Sequence, residues 1–284
     1  MNVSYYPGCS LDGTAREYRA STEAVARKLA VNLHELEDWN CCGASSAHAT
    51  SDELATGLSA RNLRTAERAG MDLVVPCAMC YQQLKQAEKK LLAGEPSGGA
   101  TGYSGHNIRY LVDFFWEDVG EKAIGEKVTK PLSGLNVVCY YGCLSTRPPK
   151  VTDAGRPEDP QHMDKLMKAL GATVKSWSFK TECCGGDLGF IRPEVAFKLS
   201  ARLLDMAAEA GADAIVTGCP LCQANLDMRQ PDISKMTGKK YAFPVFYFTE
   251  LMGLAFGDPS VGKWLNGHMI NPNLLLKQKG LLNG

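Results

Sequence analysis

The chain has 284 residues, an apolar fraction of 45% and 31 basic against 31 acidic side chains, a formal net charge of zero. This is enough for two domains with proper cores, and the balanced charge, with no long Lys/Arg run, excludes a track for a nucleic-acid backbone. The N-terminus lacks the charged and apolar regions of a signal peptide, and the most apolar stretch, 243–257, is too short to cross a bilayer and carries Glu250, so a cytoplasmic protein without a direct membrane span is expected.

The first half alternates strand and helix. Residues 3–6 read as a short strand ending at Pro7-Gly8-Cys9. Residues 17–30 carry Ala20, Ala24, Val25, Ala26 and Leu29 at helical spacing. A strand over 33–36 follows, and Trp39-Asn40 lead into Cys41-Cys42-Gly43. A long helix is expected over 52–69, stopped by Gly70. Residues 72–76 predict a buried strand with Cys77 at its carboxyl end, then a helix carrying Cys80, Leu84 and Leu91. Residues 94–105 are a Gly-rich connection. Residues 106–119 read as an amphipathic helix, with Tyr110, Phe114, Phe115 and Trp116 on its core face.

The second half repeats this plan. A strand over 135–138 runs into Cys139-Tyr140-Tyr141-Gly142-Cys143, an echo of Tyr5-Tyr6-Pro7-Gly8-Cys9. A Pro- and Gly-rich loop covers 146–162, a helix 163–170 and a strand 173–179. The next cysteine pair is Cys183-Cys184-Gly185-Gly186. The long helix over 194–210 matches the one over 52–69, with Leu199-Ser200-Ala201-Arg202 echoing Leu58-Ser59-Ala60-Arg61. A strand over 214–217 delivers Cys219, and 245–251 matches 108–114 as a closing helix. A duplication of about 130 residues is evident. It predicts an α/β fold of two tandem Rossmann-like, cysteine-rich repeats related by pseudo-twofold symmetry, over 1–130 and 131–284. Ligands of parallel sheets gather at the strands' carboxyl ends, where these cysteines fall.

Ten of the eleven cysteines obey one pattern, C-x31-CC-x34-C-x2-C and then C-x39-CC-x34-C-x2-C. Without a secretion signal, such clustering reads as metal or redox chemistry rather than disulfides. Five converging thiolates repel one another unless a metal neutralises them. Zinc takes four ligands, and so does a cubane iron–sulfur cluster. Five per set therefore leave a spare cysteine or call for a cluster that is not a cubane. The vicinal pair favours the second option. Neighbouring side chains on a strand point apart, so both sulfurs reach one cluster only at a bend, which the following glycine permits. Cys139 has no counterpart in the first half. It reads as a buried core cysteine, the other reading being a modulator of the second set.

These motifs resemble the cysteine-rich CCG domains of CoB–CoM heterodisulfide reductase, in the subunit where that enzyme cleaves its disulfide. The resemblance covers residues 1 to about 257, with all ten motif cysteines present. It implies two non-cubane 4Fe-4S clusters. One would be held by Cys9, Cys41, Cys42, Cys77 and Cys80, the other by Cys143, Cys183, Cys184, Cys219 and Cys222. It further implies an oxidoreductase acting on a sulfur group in methanogenesis or related metabolism. The disulfide of coenzyme M and coenzyme B, or a related heterodisulfide, would be reduced to two thiols between the clusters. Two facing clusters would each supply one of the two electrons required. The implied partners are one ferredoxin-like and one flavin-containing subunit of the same complex.

Other candidates are weaker. Anionic substrates need cations, and Arg147, Lys150, Lys180 and Arg192 lie near the second set in sequence, although each reads more simply as a solvated surface group. His48 is a candidate proton donor to a leaving thiolate. Tyr110 and Tyr247 sit at matched positions, either covering the clusters or packing. Trp39 and Trp177 precede the cysteine pairs and are expected to shield the clusters from water. The alternative function is electron transfer within a glycolate, glycerol-3-phosphate or lactate dehydrogenase complex. Such electron-transfer chains usually add a C-x2-C-x2-C-x3-C-P run, which this chain lacks. A zinc-held structural adaptor is disfavoured by five ligands per set.

Overall fold

The computed structural model describes residues 1–95 and 103–282. Most of the Gly-rich connection expected over 94–105 thus lies outside the described residues. Strands β1 (Asn2–Tyr5), β2 (Asn32–Glu35), β3 (Leu73–Val75) and β4 (Ile108–Tyr110) form one parallel sheet in the order β2-β1-β3-β4. Strands β5 (Asn136–Tyr140), β6 (Thr173–Val174), β7 (Ala214–Thr217) and β8 (Val245–Tyr247) form a second in the same order, β6-β5-β7-β8. The chain is therefore two tandem repeats of one α/β fold. Apolar runs such as Leu73-Val74-Val75 and Ala214-Ile215-Val216 are wholly buried. Helices cover both faces of a parallel sheet, so its central strands need no polar face.

The long helices Asp52–Ala69 and Pro193–Glu209 form where expected. Ser51 caps the first, its hydroxyl accepting from the Leu54 amide at 3.3 Å, and Gly70 ends it at φ 68°. Two expectations need correction. Residues 106–119 are not one helix. Ile108–Tyr110 is strand β4, followed by a helical turn and a π-helical segment, Phe114–Val119. The matching stretch in the second half likewise begins as strand β8 before the helix Phe248–Ala255. β-Branched and aromatic residues on the pleated edge of the sheet override the helical periodicity there. The strand expected over 173–179 stops at Val174. The chain then turns away, and Trp177 donates to the Cys139 carbonyl at 3.0 Å.

One apolar core runs through both sheets. Helix Arg16–Lys28 of the first half packs on Phe248–Ala255 of the second, with the Ser21 and Thr249 hydroxyls 2.7 Å apart at the buried contact. Phe115 meets Phe248 edge-on at 6.0 Å. This core fixes the carboxyl ends of the two sheets against one another. No helix among the described residues is long and apolar enough to cross a membrane.

Candidate functional site

Four of the cysteines lie within a few residues of a strand's carboxyl end: Cys9 in the short helix Gly8–Asp12 after β1, Cys77 after β3, Cys143 after β5 and Cys219 after β7. The paired cysteines sit in the loops after β2 and β6. Gly43 and Gly185 turn the chain after each pair at φ 80° and 102°. There is no room for a side chain at Gly185 and little at Gly43. A Cβ on Gly185 would lie 2.6 Å from the Ala196 Cα, and one on Gly43 3.1 Å from the Ala55 Cα. Gly8 and Gly142, at φ 73° and 71°, free the space taken by sulfur. A Cβ there would stand 3.1 Å from Cys80 Sγ and 3.0 Å from Cys222 Sγ.

Matched hydrogen bonds hold both loops. The Tyr6 hydroxyl donates to the Asn40 carbonyl at 2.8 Å, and the Tyr140 hydroxyl to the Glu182 carbonyl at 2.7 Å. Each accepting residue directly precedes a cysteine pair. Ser59 donates to the Cys42 carbonyl at 2.8 Å and Ser200 to the Cys184 carbonyl at 3.1 Å. In the second half Asn225 also donates to the Gly186 carbonyl at 2.9 Å. These residues were not singled out as functional from the sequence, although the repeated Tyr-x-Gly-Cys and Leu-Ser-Ala-Arg strings carried the signal.

The thiols assemble as two sets of five. In the first, Cys41 Sγ lies 3.9 Å from Cys9 Sγ and Cys42 Sγ 3.3 Å from Cys80 Sγ, and Cys77 lines the same space as these four. In the second, Cys184 Sγ lies 3.7 Å from Cys222 Sγ, and Cys143 and Cys219 interact with the others. The leading cysteine of each pair is biased to the thiolate. Interactions with Cys42, Cys9 and the Gly43 amide hold Cys41 far below the usual thiol range. A bond from Cys143, with the Gly185 amide 3.3 Å away, brings Cys183 to about 6 against the opposing effect of burial. The sets approach one another at the ends of β3 and β7, which deliver Cys77 and Cys219. The Tyr18 hydroxyl spans this joint, 3.2 Å from the Pro76 carbonyl and 3.1 Å from the Gly218 carbonyl.

A cavity of about 430 Å³ opens against the first set. All five of its cysteines line it, and the second half supplies Asp187, Phe190, Ile191, Pro220, Leu221 and Ala224. His48 is exposed on the short helix Ser46–Thr50 and is not part of the wall. None of the four candidate cations lines it either. Arg147 pairs with Glu158 and bonds the Thr181 carbonyl at 3.2 Å. Lys150 and Arg192 are exposed. Lys180 departs from the solvated reading. It is buried, with Nζ 2.8 Å from Asp164 and 2.9 Å from Asp159. The helix 162–169 brings Asp164 under the loop, and that carboxylate compensates the buried charge.

Tyr110 and Tyr247 are both buried in register with the strand that delivers a C-x2-C motif, opposite Val75 and Thr217. The Tyr110 hydroxyl has no hydrogen-bond partner among the described residues and presses on Gly218, 2.5 Å from where a Cβ would be. Trp39 packs edge-on against Tyr6 at 5.5 Å and Trp177 against Tyr140 at 6.2 Å, so each buttresses the tyrosine that holds a cysteine loop. Cys139 lies inside β5, wholly buried opposite Val216, as a core cysteine.

All eleven cysteines are free thiols. Among the described residues, no group of three or more His, Cys, Asp or Glu side chains is arranged as ligands to a single metal ion. The sulfurs are spread in pairs around a larger space, and two of the glycines at these loops leave room for cysteine sulfur alone. This donor set fits a polynuclear iron–sulfur group.

A duplicated parallel α/β frame with soft donors gathered at its strand ends defines a cysteine-rich redox protein. Residues 3–85 and 137–227 match the CCG family, "Cysteine-rich domain", and the chain belongs to that family. It is 34% identical over 281 residues to the 8-methylmenaquinol:fumarate reductase membrane anchor subunit of Wolinella succinogenes, covering 96% of this chain and 98% of that one. It is 28% identical over 268 residues to one subunit of the ferredoxin/F(420)H(2)-dependent CoB-CoM heterodisulfide reductase of Methanosarcina acetivorans, covering 90% and 89%. A hypothetical protein from Helicobacter pylori shares the fold, with a TM-score of 0.72 at 13% identity. The chain covers about half of that structure, 52%, with 95% of itself.

Proposed function

We propose that the chain is the disulfide-reducing subunit of a heterodisulfide-reductase-type complex. Cys9, Cys41, Cys42, Cys77 and Cys80 hold one non-cubane 4Fe-4S cluster, and Cys143, Cys183, Cys184, Cys219 and Cys222 hold another. The observation that carries this reading is the Tyr18 hydroxyl, which lies 3.2 Å from the Pro76 carbonyl and 3.1 Å from the Gly218 carbonyl and so brings together the residues just before Cys77 and Cys219. When bound, iron–sulfur clusters supply electrons one at a time, and a disulfide takes two, with two protons, to become two thiols. The protein's own groups do the rest. Tyr6, Tyr140, Ser59 and Ser200 fix the loops that present the thiolates. Tyr18 sets the spacing between the sets. The apolar wall excludes water, which strengthens every electrostatic interaction inside. His48, on the same short helix as the wall residue Ala49, relays protons from solvent.

Electrons come from partner proteins, in this reading one ferredoxin-like and one flavin-containing subunit, and the free thiols require a reducing compartment such as the cytoplasm. The 28% identity to a heterodisulfide reductase supports this reading. The 34% identity to a fumarate reductase favours a second one, in which the chain passes electrons within another oxidoreductase complex. The test is anaerobic purification with partners, metal and acid-labile sulfide analysis, and assay of coenzyme M–coenzyme B disulfide reduction. Zinc in place of iron would sink both readings. Intact clusters without reduction of any disulfide would leave the electron-transfer reading.

A further inference from the structure

The two thiol sets share a frame but not all of their hydrogen-bond donors. Backbone donors repeat: the amides of Gly43 and Ala44 act on Cys41 and Cys42, and those of Gly185 and Gly186 on Cys183 and Cys184. The serines repeat too, Ser59 on the Cys42 carbonyl and Ser200 on that of Cys184. One donor does not repeat. The amide nitrogen of Asn225 donates to Cys184 Sγ at 3.6 Å and to the Gly186 carbonyl at 2.9 Å. That carbonyl fixes which end of the amide faces the loop, because the amide oxygen placed there would meet another oxygen. Gly189 leaves the amide its room, since a Cβ there would stand 2.6 Å from Asn225 Oδ1.

The difference begins in the helix that carries each C-x2-C motif. After Cys80 the chain continues as a regular α-helix to Leu92, and the place three residues on is Gln83. After Cys222 the helix widens into the π-helical segment Ala224–Met228, and the matched Asn225 stands within it. A π turn changes how side chains face relative to an α-helix, and such turns are frequent at functional sites. Among the described residues no side-chain amide donates to Cys42, and Gln83, although buried, bonds to no thiol.

We infer that Asn225 is a positioning residue that raises the reduction potential of the second cluster alone. The inference rests on the proposed iron–sulfur reading and goes beyond it, making two halves alike in fold unequal as electron acceptors. The step concerned is a one-electron reduction of the cluster, with the electron supplied by the partner proteins; no bond in Asn225 breaks. Reduction adds negative charge to the cluster and its thiolates. An N–H aimed at a ligand sulfur stabilises that charge, and hydrogen bonds to sulfur are among the factors that set cluster potentials. Asn225 and Cys184 are both buried, so water does not take over the role when the amide is removed.

The test is a redox titration of the anaerobically purified protein with dithionite, followed by electron paramagnetic resonance. Asn225→Leu should lower one of the two reduction steps at least tenfold in its equilibrium constant and leave the other in place. That is the lower end for a hydrogen bond to a charged group, and corresponds to about 59 mV for one electron. Gly189→Ala, which crowds the amide without removing it, should lower the same step. Steps moved by neither variant, or both steps moved equally, overturn the inference. A measurement on the native protein covers a variant that fails to hold iron. With asparagine side chains carrying heavy nitrogen, pulsed resonance of the reduced protein should show that nitrogen coupled to one cluster, and no coupling to either overturns the inference. Intact clusters with unmoved steps leave the proposed function standing, whereas a protein without iron and sulfide removes both, so the two claims fail separately.

Discussion

Tyr18 of the first half lies flat on Tyr247 of the second, with ring centroids 4.1 Å apart and planes 2° from parallel. Its hydroxyl reaches the carbonyls of Pro76 and Gly218, the residues just before Cys77 and Cys219. One buried side chain thus sets the distance between two thiol sets, and its bond to Gly218 spans 200 residues of sequence. Tyr18→Phe keeps the stack and removes the one O–H that these two buried carbonyls share. The expected loss is about 1–3 kcal/mol of stability, read from chemical denaturation of the iron-loaded protein. An unchanged midpoint would mean the hydroxyl is dispensable.

The two glycines after Cys184 should behave differently. Gly185→Ala drives a methyl to 2.6 Å from the Ala196 backbone at φ 102° and must displace the helix Pro193–Glu209. A cost of about 3 kcal/mol or more and loss of iron are expected. Gly186, at φ 53° with open space around it, tolerates Ala for about 1 kcal/mol. Equal effects of the two substitutions would contradict this geometry.

Lys180→Met removes the cation beside the buried carboxylate of Asp164, which keeps the Tyr141 hydroxyl as a donor at 2.7 Å. Loss of about 3–5 kcal/mol is expected, typical of a buried pair broken on one side. The Lys180 carbonyl accepts from the Tyr141 and Gly142 amides, so the lesion should also loosen the Cys143 loop. Thermal denaturation and iron content together check both effects.

His268 gives the fold a pH dependence. Burial opposes its charge, but Glu250, 2.9 Å away, with Asp227 and Glu17, outweighs burial and raises its pKa from 6.5 to about 9. Gln223, 3.2 Å from Nδ1, completes its surroundings. Because the folded value is the higher one, the stabilisation is fully present below pH 6.5 and fades as pH rises through 9. It amounts to about 3 kcal/mol. Denaturation curves across that window should show the decline, and Glu250→Gln should flatten it.

Cys139→Ala should keep the iron content of the protein and cost about 1 kcal/mol through lost packing. Cys143→Ala should lose iron from the second set. Equal iron loss in both would make Cys139 part of the site.

The α/β alternation, the duplication and the pairing of the two cysteine sets were legible because each rests on local sequence: apolar runs, helical spacing and repeated strings. Strands β4 and β8 were not, because Ile108-Arg109-Tyr110 and Val245-Phe246-Tyr247 carry helical periodicity into the turn that follows them. Only their position at a sheet edge, a tertiary fact, makes them strands. Lys180 read as surface because its partner Asp164 lies in a different element, and Tyr18 carried no local signal at all. Cavity walls drawn from two repeats are invisible to spacing arguments, and so is the absence of cations along them.

That cavity has a consequence for how the two halves evolve. A dimer of identical copies must display every wall twice, because symmetry copies each substitution. Joined in one chain, the halves escape that rule. Phe190 and Ile191 of the second half shape the chamber over the first cysteine set, and a change at either alters one chamber once. Fusion therefore lets one half specialise in what it admits while the other keeps its geometry.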